Sequence, residues 1–110
     1  MTKIAVIIPY YQKASGILRR ALESISLQRL SPEQEVEIIV VDDGSPVPAA
    51  QEVEAVEFKA QFSLTLIKQA NAGVAEARNR GLRQVDAATN YIAFLDSDDW
   101  WQEEHLSQGV

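Results

Sequence analysis

The amino-acid sequence predicts an α/β fold, because apolar runs of strand length alternate with segments of helical periodicity along the chain. Four such runs are separated by three amphipathic stretches, so the predicted order is β-α-β-α-β-α-β. Strands that are joined through helices pair in parallel, and right-handed crossovers place the helices against the sheet. We therefore predict one mostly parallel sheet with helices on both faces.

Each predicted strand is a short apolar run, and the first is rich in β-branched residues. The four runs are residues 3–8, 36–41, 64–67 and 91–95. The first is expected to stop at Pro9, which has no N–H to donate, and the second is closed by turn residues at 42–46. The first and fourth runs have the length and composition of buried strands.

Apolar residues at helical spacing predict three helices between these strands. The helices are expected near residues 15–28, 49–60 and 74–85, and a further short helix is conceivable from residue 100 to residue 110. The residues expected to face inward on the second and third helices are Val53, Val56 and Ala60, then Val74, Ala77, Gly81, Leu82 and Val85.

Composition and charge exclude several classes of protein. The 110 residues suffice for one domain, and no apolar run approaches the ~18 residues of a membrane span. The absence of cysteine excludes a disulfide framework and fits a reducing compartment such as the cytoplasm. A single histidine, His105, excludes a multi-histidine metal site within one chain and receives no role. The net charge of −6 argues against a nucleic-acid partner and against a generic anionic membrane surface.

Much of the acidity is concentrated after two of the predicted strands. The clustered carboxylates are Asp42, Asp43, Asp96, Asp98 and Asp99. The carboxyl ends of parallel strands meet at one edge of a sheet, where such folds bind their ligands. Residues 9–11, which follow the first strand, are expected at the same edge. We therefore expect one ligand site there.

The cluster at residues 96–99 is the strongest local signal. Three carboxylates within four residues repel one another unless a cation or protons neutralise them. Oxygen ligands suit Mg²⁺ or Mn²⁺, which keep positions open for water and phosphate oxygens. A helix N-cap is the alternative role for Asp99.

The other candidates have equally ordinary structural explanations. Residues 42–45 are turn chemistry, although a carboxylate there would also accept hydrogen bonds from a nucleobase or a ribose. Tyr10 and Tyr11 offer faces for stacking a base, or pack on the sheet edge. Gly73 and Arg78, at the start of the third helix, suit phosphate binding. The remaining cations and aromatics are assigned to the solvated face or to packing: Arg80, Arg83, Trp100 and Trp101.

Taken together and in order, four motifs resemble the family 2 glycosyltransferases of GT-A fold, over nearly the whole chain. The motifs lie at residues 6–11, 40–45, 71–79 and 94–99. The resemblance implies a Rossmann-like GT-A fold, a nucleotide-diphospho-sugar donor (commonly a uridine diphosphate sugar), an inverting reaction and a divalent cation, Mn²⁺ or Mg²⁺.

The resemblance also implies a role for each site residue. Pro9 and Tyr11 would line the base pocket, with Tyr11 stacking on the base. Asp43 would accept the N–H of the base, and Asp42 would support the turn. The three remaining residues belong to the sugar and diphosphate side: Arg78 near the base or pyrophosphate, Asp96 facing the ribose or the metal's waters, and Asp98 holding the cation.

The sequence departs from the family in length, since members run well beyond 200 residues. We therefore expect residues 1–110 to be the donor-binding half, with the acceptor half and the general base absent and this chain alone inactive. Glu103 and Glu104 follow the metal motif too closely to serve as that base. The acceptor, a glycan or lipid-linked glycan, stays unidentified. Membrane association would come through the missing region, and the uncovered sheet edge near Trp100 and Trp101 favours self-association.

Two other classes of doubly wound α/β protein are excluded by the positions of their acidic residues. A phospho-acceptor receiver domain and a haloacid-dehalogenase-type phosphatase both need their acidic residues after the first strand, where this sequence has Pro9, Tyr10 and Tyr11. The alternative that remains is a non-catalytic module that binds nucleotide sugars or assembles with other proteins.

Overall fold

The computed structural model describes residues 2–101, which form four strands and three helices. The elements are β1 (Thr2–Tyr10), α1 (Ile17–Ser26), β2 (Gln34–Asp43), α2 (Ala49–Glu54), β3 (Phe62–Gln69), α3 (Val74–Gln84) and β4 (Tyr91–Phe94). All strand pairs are parallel, and the strand order in the sheet is β3-β2-β1-β4. The predicted α/β fold with a mostly parallel sheet is confirmed.

Each face of the sheet has its own apolar core, because side chains along a strand point alternately to opposite faces. The face covered by α1 and α2 contains, among others, Ile4, Val6, Ile8, Leu18, Leu22, Ile25, Ile38 and Val40. The face covered by α3 contains Ile7, Ile39, Val41, Ile67 and Ala77. The helices therefore lie on both sides of the sheet, as predicted.

The prediction that the first strand stops at Pro9 is wrong. β1 continues to Tyr10, and Pro9 lies opposite Val41 of β2. The carbonyl of Ile7 accepts a hydrogen bond from the N–H of Leu95, so Pro9, two residues further along, faces the same side. The pairing with β4 has already ended at Ile7 and Phe94. No residue of β4 therefore stands opposite Pro9 and needs the N–H that proline does not have.

Helix α2 is shorter than predicted and ends at Glu54. The N–H groups of Ala55 and Val56 donate to carbonyls three residues earlier, which tightens the last turn and closes the helix. Phe58 then packs against Phe62 at the start of β3, with ring centroids 5.7 Å apart. This aromatic contact directs the chain into the sheet.

The inward face of α2 carries a buried carboxylate that apolar periodicity does not reveal. Val53 and Val56 pack against the core as expected, but Ala60 is exposed and its predicted inward position is wrong. Glu52 is buried instead, and its Oε1 accepts the N–H of Gly16 at 2.7 Å. A negative charge at the N-terminus of α1 stabilises that helix.

Helix α3 touches the sheet through small residues. Ala77 and Gly81 are buried, and Val85 packs partly buried against the same core. Val74 and Leu82 are exposed, so their predicted inward positions are wrong. The small side chains let the helix axis approach β1 closely, which leaves the larger residues on either side outside the contact.

Strand β4 is an edge strand, and the prediction that it is buried is wrong. Among residues 2–101 it pairs with β1 alone, and Tyr91, Ile92 and Phe94 are 50%, 46% and 46% exposed. Leu95, directly after the strand, is buried. In the described part of the chain, the sheet therefore has no strand beyond β4 on this apolar edge.

Residues 102–110, to which the sequence assigned the body of a fourth helix, lie outside the described part of the chain. Within the described part, none of the helices has both the length and the apolar composition that crossing a membrane requires.

Candidate functional site

Three strand ends and the first turn of α3 surround a cavity of about 210 Å³. Its lining residues are Pro9, Tyr10, Tyr11, Gln12, Asp43, Val74, Ala77, Asp96, Ser97 and Asp98. The cavity lies where the strand order reverses, between β1 and β4, which is the point at which open parallel sheets bind ligands. The structure thus brings together the three segments that the topology placed at one edge.

Asp43, at the end of β2, is 4% exposed and is held by the loop that precedes α3. Its Oδ1 accepts hydrogen bonds from the side chain of Gln69 at 2.9 Å and from the N–H of Ala72 at 2.8 Å. Its Oδ2 accepts the N–H of Gly73 at 3.0 Å. Burial by itself raises the pKa of Asp43, but the hydrogen bonds from Gln69, Ala72 and Gly73 outweigh it and lower the pKa below its ordinary value. The carboxylate is therefore fixed and ionised at the cavity wall.

Two glycines make this arrangement possible. Gly73 has a φ of +98° and Gly44 a φ of +65°, conformations that other residues rarely adopt. A side chain on Gly44 would also begin 2.9 Å from the backbone nitrogen of Asn71. The sequence suggested phosphate binding at the start of α3, but the N–H groups of Ala72 and Gly73 are already engaged by Asp43.

Asp42 is buried and directs both of its carboxylate oxygens into the fold. Oδ1 accepts the N–H of Ser45, and Oδ2 accepts the N–H of Ala49 at the start of α2, both at 2.9 Å. Asp42 does not line the cavity between β1 and β4. Its hydrogen bonds close the turn after β2 and fix the first turn of α2.

Arg78 extends from α3 to the loop after β4. Its Nη2 lies 3.1 Å from Oδ1 of Asp96, and its guanidinium lies 6.0 Å from the ring centroid of Phe94. The Nε of Arg78 is buried and has no hydrogen-bond partner among residues 2–101. Arg78 is not among the residues that line the cavity, so the structure places it beside the site, where it is paired with the lining residue Asp96.

The predicted metal ligand Asp98 is exposed and lines the cavity together with Asp96. Within residues 2–101 no group of three or more His, Cys, Asp or Glu side chains is arranged to hold a metal ion. Mg²⁺ is bound through only one or two carboxylates when substrate phosphates and waters complete its shell. The two carboxylates fit such a shared cation, and the assignment of the cation to Asp98 stays a prediction.

The two tyrosines after Pro9 have different environments. Tyr10 is 1% exposed and belongs to the core on the α1 side of the sheet, so its ring is not available for stacking. Tyr11 is 45% exposed and lines the cavity with Pro9. Tyr11 is the side chain that offers an aromatic face to a ligand.

Gln12 is a site residue that sequence reasoning missed. It lies in the cavity wall, its backbone N–H donates to Oγ of Ser45 at 2.8 Å, and its side-chain amide donates to Oγ of Ser97 at 3.0 Å. It therefore connects the loops after β1, β2 and β4. A single glutamine after a tyrosine carries no pattern that signals this role.

Side chains of α1 hold the residues at and after Asp98 in place. Arg20 donates to the carbonyl of Asp98 at 3.2 Å, and its guanidinium lies 4.4 Å from the ring centroid of Trp100, which is 56% exposed. Trp101 packs against the core, and its N–H donates to Oγ of Ser24. Asp99 accepts the N–H of Trp100, so its side chain serves the local turn.

Solved structures with this architecture are glycosyltransferases of the GT-A type. The crystal structure of S. aureus TarS residues 1–349 in complex with UDP-GlcNAc matches with a TM-score of 0.82 and 29% sequence identity over 98% of this chain and 30% of that one. TarS 1–349 in complex with UDP matches with a TM-score of 0.81 and 28% identity. The predicted GT-A fold is thus confirmed.

The chain belongs to glycosyl transferase family 2, whose family model matches residues 5–110. It is 46% identical over 106 residues to the succinoglycan biosynthesis protein ExoW of Rhizobium meliloti, covering 96% of this chain and 32% of that protein. It is 33% identical to the minor teichoic acid biosynthesis protein GgaA of Bacillus subtilis, covering 93% of this chain and 23% of that protein. The chain therefore spans a third or less of the length of these relatives.

Proposed function

We propose that this chain binds the nucleotide diphosphate of a nucleotide-diphospho-sugar, with a uridine diphosphate sugar as the favoured donor, in an inverting glycosyltransferase. The observation that carries the proposal is the meeting of Asp43, Asp96 and Asp98 in one cavity at the switch point of the sheet. Support comes from TarS, which has the same fold and has been solved with UDP and with UDP-GlcNAc.

The base would occupy the side of the cavity that is formed by the ends of β1 and β2. Tyr11 offers an exposed ring for stacking, and Pro9 forms the adjoining wall. Asp43 presents an ionised carboxylate whose Oδ2 accepts longer hydrogen bonds, from Gly73 at 3.0 Å and Asn71 at 3.4 Å, than the 2.8–2.9 Å bonds to Oδ1. This oxygen is suited to accept the N–H of a uracil-like base, while Asp42 maintains the turn that positions it.

The ribose and the diphosphate would lie towards β4. Asp96 faces this side and holds Arg78, whose buried Nε lacks a partner among the described residues. A phosphate oxygen would accept a charge-assisted hydrogen bond from the exposed part of the Arg78 guanidinium. Asp98 would share a divalent cation with the diphosphate, and the bound Mn²⁺ or Mg²⁺ would neutralise the charge of the leaving group.

The reaction that we infer is one displacement at the anomeric carbon of the donor sugar. An acceptor hydroxyl oxygen forms the new bond to that carbon, the bond to the diphosphate oxygen breaks, and a general base takes the hydroxyl proton. Each carboxylate that lines the cavity already has a donor-side role, so we assign the base to none of them. Glu103 and Glu104 lie outside the described residues.

We further propose that the chain self-associates through the open edge of β4. The exposed side chains of Tyr91, Ile92 and Phe94 border backbone groups that pair with no second strand among the described residues, 2–101. Such an edge favours pairing with another chain.

The proposal is tested by thermal unfolding of the chain with UDP, in Mn²⁺ and in chelator. A ligand at about 100 times its Kd stabilises by ~2.7 kcal/mol, a shift on the order of 10 °C for a domain of this size. We expect that shift with Mn²⁺ and little or none in chelator. Equal shifts under both conditions would exclude the cation bridge, and no shift in either would exclude the donor site. Donor binding without transfer to any acceptor, in a protein as long as ExoW, would favour the non-catalytic module.

A further inference from the structure

The loop after β1 is bonded to the loop after β2 through the backbone of Gln12. The N–H of Gln12 donates to Oγ of Ser45 at 2.8 Å, and the hydroxyl of Ser45 donates back to the carbonyl of Gln12 at 3.0 Å. The N–H of Val47 donates to the same carbonyl at 3.1 Å. Ser45 is in turn fixed by Asp42, beside the buried Asp43. Gln12 therefore moves with the turn that carries the carboxylates of β2.

The side chain of Gln12 reaches the loop after β4. Its Nε2 donates to Oγ of Ser97 at 3.0 Å, and Ser97 is buried between two exposed carboxylates, Asp96 and Asp98. Gln12 and Ser97 both line the cavity. The hydroxyl of Ser97 is thus an anchor for the loop, and the amide of Gln12 is its partner.

The geometry points to Gln12 as a positioning residue that couples the two sides of the cavity, Asp43 on one side and the loop of Asp96 and Asp98 on the other. This inference rests on the proposed function. The hydrogen bonds of Gln12 hold the loop after β2 and the loop after β4 in a fixed relative position. A base bound at Asp43 therefore favours the cation-binding form of the loop after β4. By linkage, the cation raises the affinity for the base by the same factor, and for a nucleotide diphosphate this gain adds to the direct contact between the cation and the phosphates.

The expected size follows from the bond that couples the loops. A neutral hydrogen bond of this kind contributes ~0.5–1.5 kcal/mol, so its removal changes an equilibrium by about three- to ten-fold. We expect the change in the coupling rather than in overall affinity for the base, because the contacts of Gln12 with Ser45 are made by the backbone and survive substitution of the side chain.

The experiment compares Gln12→Leu with the parent chain and with Gln61→Leu as the matched control. Gln61 also donates its side-chain amide, to the carbonyls of Ser31 and Gln34, but at the opposite end of the sheet. Isothermal titration gives the affinity for UDP with Mn²⁺ and in chelator, and the affinity for uridine. We expect the ratio of the two UDP affinities to fall about three- to ten-fold in Gln12→Leu, while the affinity for uridine in chelator stays the same. All of these affinities should be unchanged in Gln61→Leu. An unchanged ratio in Gln12→Leu would overturn the inference.

A double-mutant cycle identifies the bond itself. Ser97→Ala removes the same hydrogen bond from the other side, so we expect it to lower the ratio by a similar factor. The double variant should then resemble either single variant, because the bond can be lost only once. Fully additive effects would show that Gln12 and Ser97 act independently and would contradict the coupling.

A measurement without ligand separates this inference from the proposed function. Hydrogen exchange reports the protection of the N–H of Ser45, which donates to Asp42, and of Asp99, which donates to the carbonyl of Asp96. We expect the N–H of Asp99 to exchange faster in Gln12→Leu. The N–H of Ser45 should keep its protection, because the contacts of Ser45 with Gln12 are made by the backbone. Neither rate should change in Gln61→Leu. If the parent chain binds no UDP, the proposed function fails, and the exchange measurement still tests the contact between the loops. Unchanged exchange in Gln12→Leu would refute the coupling, whatever the result for UDP.

Discussion

A methyl group placed on the α-carbon of Gly81 would lie 2.5 Å from Cγ2 of Ile7. This distance is shorter than any normal carbon–carbon contact, and Ile7 is fully buried in the middle of β1. Helix α3 therefore lies against the sheet at a separation that only glycine permits. The same helix carries Arg78 and follows the loop that holds Asp43, so its distance from the sheet also sets the wall of the cavity.

We expect Gly81→Ala to destabilise the chain by ~1–3 kcal/mol, the usual cost of overpacking a filled core. Alanine would otherwise stabilise the middle of a helix by about 1 kcal/mol relative to glycine, so the sign of the change is informative. Chemical denaturation gives the difference in free energy of unfolding. Asn79→Ala, at an exposed position of the same helix, serves as the control and should be neutral or slightly stabilising. A gain in stability for Gly81→Ala would contradict the close approach.

The stability of the chain should fall in acid partly through Asp43. Its pKa in the folded protein is below the ordinary value, so its contribution is fully present above that value, ~3.9, and is lost as the pH falls through the lowered pKa. Asp86, whose pKa is lowered mainly by the N–H of Ala88 and also by Lys3, acts in the same direction. Comparison of the parent with Asp43→Asn from about pH 6 to about pH 2 isolates the share of Asp43.

We expect Asp43→Asn to be less stable than the parent at neutral pH by about 1–3 kcal/mol, because an amide cannot accept all the hydrogen bonds of the carboxylate. The difference between the two proteins should shrink in acid. A difference that stays constant down to the lowest pH would mean that the carboxylate charge contributes nothing to folding.

Two substitutions should separate the base from the cation. Asp98→Asn is expected to weaken UDP binding in Mn²⁺ while leaving uridine binding almost unchanged, because it removes charge from the cation site. Asp43→Ala is expected to weaken both, since a contact with the base is lost, worth ~1–3 kcal/mol when a buried donor goes unpaired. Titration of each variant with both ligands, alongside its melting temperature, is the measurement. Identical effects would show that the division of roles is wrong.

Arg78→Ala should reduce UDP affinity with little effect on stability. The ion pair with Asp96 joins two partly exposed side chains, and pairs of this kind contribute ~1 kcal/mol or less. Arg19→Ala breaks a comparable exposed pair with Glu23 on α1, away from the cavity, and is the control. We expect similar melting temperatures for the two variants but weaker UDP binding only for Arg78→Ala. Equal UDP affinities would remove Arg78 from the proposed diphosphate site.

Self-association is expected to depend on the exposed edge of β4. Sedimentation velocity over a concentration series should show dimers or larger species for the parent and fewer for Ile92→Lys, since a charge on an edge strand opposes pairing. Leu27→Lys replaces another exposed apolar residue, at the end of α1, and should behave like the parent. Identical behaviour of all three proteins would place any association elsewhere.

The sequence predicted the parallel α/β fold and the segments that meet at the cavity, because apolar periodicity and turn residues are local signals. It did not predict that β4 is exposed, since an apolar run has the same composition at the edge of a sheet as at its centre. It assigned Ala60 an inward position and missed the buried Glu52, because the partner of Glu52 is the N–H of Gly16, distant in sequence. Gln12 was missed for the same reason, as its partners follow β2 and β4.

The pairing of β4 with β1 has a consequence for the order of folding. The backbone N–H of Lys3 donates to Oδ1 of Asn90, a contact between residues 87 positions apart, so β4 is added only when almost the whole chain is available. The strands β1, β2 and β3 pair over shorter loops and bury most of the core. We therefore expect the pocket around Asp43 to form early, and the loop of Asp96 and Asp98 to form last and to open first by local unfolding.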